Sequence, residues 1–283
     1  MQTLDKIKLR GKEWSYKIIG SGVPCIVTGI SPLYTKLATS KLIEKIQFIY
    51  VPLYWENEHS DFDVAKLTRK DIIADIDAVR QQLGYEKIAT LNHSALGFIS
   101  FEYALNYPQH NLFNIVIGTP PCWTKEYAAA RDTFFQQDAS AERKAILQAN
   151  LAKFAKQKEN LSSNKIYAIE YAAKSPIFWF DPNYDCTSMW DEINVNGAMI
   201  NHYFNSDSAF AKYDNRTEYQ KLNVPTLLAL GRYDYAVPYN SWDFAKAIKK
   251  LRIYLFDRSA HYPMLEEQQI FDQVVGAWID GLK

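Results

Sequence analysis

The sequence predicts an α/β fold: a mainly parallel β-sheet with helices on both faces, interrupted by a helical insertion. Three observations carry that prediction. Short apolar runs alternate with amphipathic helical stretches over residues 23–120, the pattern of strand–helix–strand units. From Pro121 to about residue 220 no convincing strand occurs, and helical, aromatic segments take over. At "VPTLLALG" the alternation returns and runs to the end of the chain.

Taken in order, "KIKLRGKEWSYKII" (6–19) alternates apolar and polar residues about a Gly-Lys step and predicts a hairpin. A Gly-Ser-Gly break follows, and "VPCIVTGISP" reads as a buried strand ending in a Gly/Pro loop. "FIYVPLYW" is a strand, and "TRKDIIADIDAVRQQLG" is an amphipathic helix closed by Gly84. "KIATLNH" is the next strand, "LGFISFEYALNYP" a helix ended by Pro108, and "NIVIGTPP" a further strand. The insertion reads as helices at "WTKEYAAARDTFFQQ", "AERKAILQANLAKFAKQ", "NKIYAIEYAAK" and "IFWFDPNYD". After "VPTLLALG", a helix ("SWDFAKAIKK"), a strand ("RIYLFD") and a last helix ("EEQQIFDQVVGAWIDGL") complete the pattern. The expected division is a core of residues 1–120 and 221–283, with a helical lid over 121–220.

Composition narrows the function. At 283 residues and 48% hydrophobic, the chain has the material for a sizeable core. Basic and acidic residues balance at 32 each, which removes the electrostatic reason to bind nucleic acid or an anionic membrane. No apolar run approaches the roughly 20 residues that span a bilayer. The charged start "MQTLDKIKLRGKEW" lacks the apolar stretch of a secretory leader. Cys25, Cys122 and Cys186 are far apart, form no C-x-x-C pair and read as reduced thiols. The expectation is a cytoplasmic protein whose partner is a small-molecule substrate, with the oligomeric state left open.

Three residues stand at strand ends, where ligands of open α/β sheets bind. Ser94 lies between "KIATLNH" and a helix, Asp234 in "LLALGRYDYAVP", and His261 in "RIYLFDRSAHYP". Singly, each has a plain reading as a helix cap, a turn former and a loop residue. Together they supply a chemistry. A serine hydroxyl is a weak nucleophile until an imidazole takes its proton, and a carboxylate must hold that imidazole in the right tautomer. A strand-to-helix turn would lift Ser94 above the sheet and aim the helix amino end at a developing oxyanion. Of the other histidines, His93 is expected to turn its side chain away from the attack line, His59 lies in the acidic loop "ENEHSDF" and His110 ends a helix in "NYPQH". His202, in the insertion, is a substrate-contact candidate.

With these residues in hand, the sequence resembles the α/β-hydrolases, and within them the proline iminopeptidases. The resemblance covers nearly the whole chain and is strongest at "NHSALGFISFEYALNYPQH", "IGTPP", "NHYFN", "GRYDYAVPYNSWD" and "SAHYPMLEE". It implies a nucleophile at Ser94, an acid at Asp234 and a base at His261, in the Ser–Asp–His order of that fold. It also implies an oxyanion hole from the Ala95 amide and the Ile30 amide, and a cap over the site. Two departures stand out. The usual small residues two places before and after the serine are Asn92 and Leu96, with Gly97 one place later. The acidic residue that precedes Asn-His-Tyr-Phe in the family, where it binds a substrate amine, is Ile200 here.

The reading that follows is a cofactor-free serine hydrolase acting on a small ester or amide. The insertion aromatics Trp123, Phe178, Trp179, Trp190, Tyr203 and Phe204 are candidates for an apolar lid, with plain packing expected for about half of them. Ile200, His202 and Tyr203 complete the expected substrate contacts. The alternatives are an aminopeptidase with a rearranged amine site and a weakly active binding or sensing protein on the same scaffold. "DPNYDCTSMWDE" (181–192) imitates a calcium loop, but Cys186 stands where the sharp turn needs glycine, so no metal is expected.

Overall fold

The computed structural model describes residues 5–29, 31–160, 163–190, 193, 195–204 and 213–282. The predicted hairpin is β1 (Asp5–Leu9) and β2 (Lys12–Ile19), and Leu9 pairs with Lys12. The turn is therefore Arg10-Gly11 rather than Gly-Lys. Both residues have positive φ (48° and 79°), the geometry that matches a two-residue loop to the right-handed strand twist. The sheet continues with β3 (Val23–Thr28), β4 (Ile46–Val51), β5 (Ile88–His93), β6 (Asn111–Ile117), β7 (Thr226–Gly231) and β8 (Leu251–Phe256). Its spatial order is β1-β2-β4-β3-β5-β6-β7-β8. The β1–β2 and β2–β4 pairings are antiparallel and the rest are parallel.

Helices α1 (Ser31–Tyr34), α2 (Arg69–Gln82) and α3 (Gly97–Asn106) connect the first strands. Thr68 and Asp71 form a reciprocal capping box at the start of α2, which satisfies two amides that the helix itself cannot. Between β6 and β7 lie α4 (Lys125–Asp138), α5 (Ala141–Gln157), α6 (Ser163–Ala173), α7 (Ser175–Phe178) and α8 (Gly197–Phe204). The chain ends in α9 (Pro263–Glu266) and α10 (Gln268–Asp280). Three expectations change here, and the first is the helix at "IFWFDPNYD", of which only Ile177 and Phe178 are helical, in α7, because Pro182 and the Asp181 and Asp185 turns break the run. "SWDFAKA" of "SWDFAKAIKK" lies within a 3-10 run, Tyr239–Ala247, rather than an α-helix, and the last three residues are outside it. The last helix is broken at Glu267, whose carboxylate turns back to accept from the Arg258 amide (2.9 Å) and the Ser259 hydroxyl (2.6 Å).

Every residue of β5 and β7 is buried, as strands covered on both faces must be. Their polar side chains satisfy one another. Asn92 accepts from the Thr28 amide (3.0 Å) and hydroxyl and donates to Ser100 Oγ (2.9 Å). Thr90 gives its single proton to Asn114 Oδ1 (2.7 Å), so Ser100 is the donor in the 2.7 Å bond between the two hydroxyls. Asn114 then donates to Thr226 Oγ1 (3.1 Å). This chain of hydrogen bonds crosses the sheet directly beneath the turn that carries Ser94.

Candidate active site

Ser94 follows β5 with φ = 56°, a left-handed conformation that costs a non-glycine residue energy. The surrounding packing compensates for it. Thr119 Oγ1 donates to the Ser94 carbonyl (2.8 Å), and a Cβ on Gly97 would sit 1.9 Å from Thr119 Oγ1. Gly97 thus provides the close approach usually given by a residue one place earlier. Leu96 is accommodated in turn by Gly29, where a Cβ would lie 2.5 Å from Leu96 Cδ1. Asn92 stays in ordinary extended strand, and its contribution is hydrogen bonding rather than an unusual backbone angle.

The three strand ends meet. Asp234 is fully buried after β7, and its Oδ1 accepts from the amides of Ala236 (2.9 Å) and Val237 (2.8 Å). That leaves Oδ2 for His261 Nδ1, at 2.8 Å. Because a carboxylate only accepts, Nδ1 carries the proton and Nε2 is left to accept from Ser94 Oγ, at 2.9 Å. A hydroxyl, an imidazole and a carboxylate in this line can move a proton from Ser94 to His261 with the resulting imidazolium held against Asp234. Ala95 follows Ser94 at the amino end of the helical turn, where amides lack helical partners and face an incoming anion. Ile30 lies outside the described residues.

His93 has both ring nitrogens engaged away from Ser94 Oγ. It is buried at the end of β5, where the His261 loop folds over the strand and leaves the ring no route outward. Its Nε2–H donates to the His261 carbonyl (2.8 Å), and its Nδ1 accepts from the Tyr34 hydroxyl (3.1 Å). Burial, reinforced by the neighbouring imidazole of His261, holds its pKa well below the usual histidine value. His93 is therefore a neutral support of the His261 backbone.

Above Ser94 lies a cavity of about 380 Å³. Of the expected contacts, Trp123 and Ile200 line it, as do Trp190 and Phe204 from the wider set of aromatics. Phe178, Trp179, His202 and Tyr203 do not. On α8 the i, i+4 pair Ile200 and Phe204 faces the cavity, and the intervening residues necessarily face elsewhere. His202 donates to the Leu67 carbonyl (2.7 Å), while Tyr203 is buried against Trp55 with its hydroxyl on the Ala95 carbonyl (3.3 Å). Trp179 stacks on Tyr262 at 4.5 Å, and Phe178 lies 5.3 Å from the His261 ring, centroid to centroid.

One feature of the lining was missed from the sequence. Tyr167, Glu170, Tyr171 and Lys174 form an i, i+3, i+4, i+7 stripe along α6 and the residue after it, and all four face the cavity. Lys174 and Glu170 pair at 2.5 Å, so the charges on this wall cancel. Asp214 is paired with Arg216 (2.7 Å), and Asp207 lies outside the described residues. In the calcium-like loop, Asp181 and Asp185 accept from the local amides of Asn183 and Thr187, both at 2.9 Å, and Glu192 lies outside the described residues.

Residues 55–268 match the family model described as the alpha/beta hydrolase fold. The chain belongs to this family. It is 28% identical over 279 residues to the AB hydrolase superfamily protein YclE of Bacillus subtilis (strain 168), covering 95% of this chain and 96% of that protein. A proline iminopeptidase of Heyndrickxia coagulans is 22% identical over 278 residues, covering 93% of this chain and 92% of the relative. Among solved structures, an alpha/beta fold family hydrolase from Bacillus anthracis str. Sterne superposes with a TM-score of 0.73 at 19% identity, covering 99% of both chains. The sheet is thus that of the alpha/beta hydrolase fold, and the chain has relatives among the proline iminopeptidases.

Proposed function

We propose that the protein is a cofactor-free serine hydrolase that cleaves a small carboxylic ester or amide through an acyl-enzyme. The observation that supports this most directly is the line Asp234–His261–Ser94, buried at Asp234 and His261, with contacts of 2.8 and 2.9 Å. Ser94 Oγ attacks the substrate carbonyl as His261 Nε2 takes its proton, and Asp234 stabilises the imidazolium. The carbonyl oxygen becomes an oxyanion facing the Ala95 amide, with the Ile30 amide as the proposed second donor. Collapse expels the alcohol or amine, which takes the proton from His261. Water then attacks the acyl-Ser94 ester, with His261 as base, and releases the acid.

The acyl group proposed is small and uncharged. The cavity walls are mostly aromatic and aliphatic, and their single ion pair, Glu170–Lys174, is internally compensated. A substrate ammonium would have to break that pair to gain a carboxylate. Glu170 nonetheless favours a second reading, aminopeptidase activity, which the names of several relatives carry. A fluorophosphonate probe should label Ser94 in the wild type. The specificity test compares kcat/KM for a short acyl ester with that for prolyl-naphthylamide, and the ester should be preferred. Lys174→Met frees Glu170 and should raise prolyl-amide turnover relative to the ester, by up to about tenfold for each 1.4 kcal/mol of charge pairing gained. A wild type that already favours the prolyl amide would replace the esterase reading with the aminopeptidase one and make Glu170 the amine partner.

A further inference from the structure

We propose that Glu266 is a positioning residue that ties the 178–180 segment of the helical insertion to the His261 loop and so holds the imidazole at Ser94. The inference rests on His261 being the base of the proposed mechanism. It starts from the way that loop is held. His261 lies beyond β8, outside regular structure, so its position must come from contacts with other elements. Its amide donates to the Phe178 carbonyl (3.0 Å), and its carbonyl accepts from His93.

The amides on either side of His261 go to one carboxylate. Glu266 Oε2 accepts from Ala260 (2.8 Å) and, more weakly, from Tyr262 (3.3 Å), while Oε1 accepts from Phe180 (2.6 Å). One oxygen therefore serves the histidine loop and the other serves the insertion. A carboxylate is suited to this because both of its oxygens accept and neither donates. An amide at the same place would turn an NH₂ group toward an N–H donor.

The insertion side of the joint is fixed from the opposite direction by a buried cation. Arg143 of α5 donates to the carbonyls of Pro176 (2.9 Å), Trp179 (2.9 Å) and Phe180 (2.6 Å). The segment 176–180 thus runs between a guanidinium that takes its carbonyls and a carboxylate that takes an amide. The two charges attract each other across it. Among the described residues, no lysine or arginine side chain forms a direct ion pair with Glu266. Its partners are the three backbone amides, two of which flank His261. This arrangement makes the seating of the insertion and the placement of the base a single event.

The test is Glu266→Gln at pH 8, above the value of about 7 to which burial pushes this carboxyl, read in three ways. The variant should lower kcat and the rate of fluorophosphonate labelling at Ser94 by about tenfold each, with KM within about twofold of wild type, because misplacing the base slows attack without altering the cavity. Labelling should still reach completion, which shows that the protein is folded. Amide hydrogen exchange should quicken together at Phe180, Ala260 and Tyr262, on both sides of the joint. Glu266→Asp, which keeps both acceptors on a shorter arm, should recover part of the rate, and it replaces the glutamine variant if that one does not fold. Wild-type labelling rates in a folded variant, or slower turnover with unchanged exchange at those amides, would overturn the proposal. His261→Ala separates the two levels. If it labels at the wild-type rate, the assignment of His261 as base fails, whatever Glu266 does.

Discussion

The Ser94 turn and the His261 loop stand 2.9 Å apart, yet they are held in place in different ways. Ser94 is placed by its own backbone. A left-handed residue sits between a buried strand and a helix, Gly97 allows the Thr119 hydroxyl to reach the Ser94 carbonyl, and Asn92 is anchored in the polar chain below. His261 is placed by its neighbours. Asp234, His93, Phe178 and Glu266 each hold one part of the loop, and two of the contacts reach into the insertion. A position set by local backbone geometry tolerates change elsewhere in the molecule. One assembled from distant elements responds to any of them.

The largest expected effect removes the centre of the first region. Ser94→Ala should lower kcat by on the order of 10⁴-fold or more while the protein stays folded. Wild-type-like turnover in that purified variant would end the proposed mechanism. Next is the second region, where Asp234→Asn should cost on the order of 10³- to 10⁴-fold by turning the imidazole to the wrong tautomer. A harmless substitution there would mean that another group orients His261.

Gly97→Val sharpens the contrast at the level of stability. Its Cβ would meet Thr119 Oγ1 at 1.9 Å and Val116 Cγ1 at 2.7 Å, so the strain should destabilise the fold by about 3 kcal/mol. Denaturant melts that leave the midpoint unmoved would show that the turn is looser than its packing implies.

The smallest effect concerns pH. Burial is the main cause that pushes the Glu266 carboxyl up to about 7 from its ordinary value of 4.5. The folded state therefore binds an extra proton between those values. The associated stability is fully present below about 4.5 and is lost as pH rises through about 7. Between pH 5 and 8 this component should fall by roughly 2 kcal/mol, and Glu266→Gln should remove it. Unfolding free energies measured at both pH values in the two proteins check this, and identical pH slopes would exclude Glu266 as the source.

Much of the site was legible because strand ends are marked by local chemistry. The apolar runs before Ser94, Asp234 and His261 end in loop residues, and a parallel sheet brings such ends to one edge. The elements that misled were those whose role depends on what packs beside them. Nothing local to His93 shows that its ring bonds the His261 carbonyl and the Tyr34 hydroxyl. Trp179 and Tyr203 are as aromatic as Trp123, and only the phase of α8 and the stacking on Tyr262 separate packing from lining. The α6 stripe was present in the spacing of Tyr167, Glu170, Tyr171 and Lys174, but a helical stripe does not reveal what it faces.

By itself the sequence determined the α/β sheet, the helical interruption and the Ser94–Asp234–His261 constellation. Hydrophobic period, turn residues and chain order are local properties, and they survive without coordinates. Tertiary structure alone decided that Gly97 compensates for Leu96 and that Asn92 is a hydrogen-bonding anchor. It also decided that Glu170 and Lys174 share the cavity wall, and that Glu266 joins the insertion to the histidine loop. Each of these depends on the separation of atoms from segments far apart in the chain, and that separation is set only when the core closes.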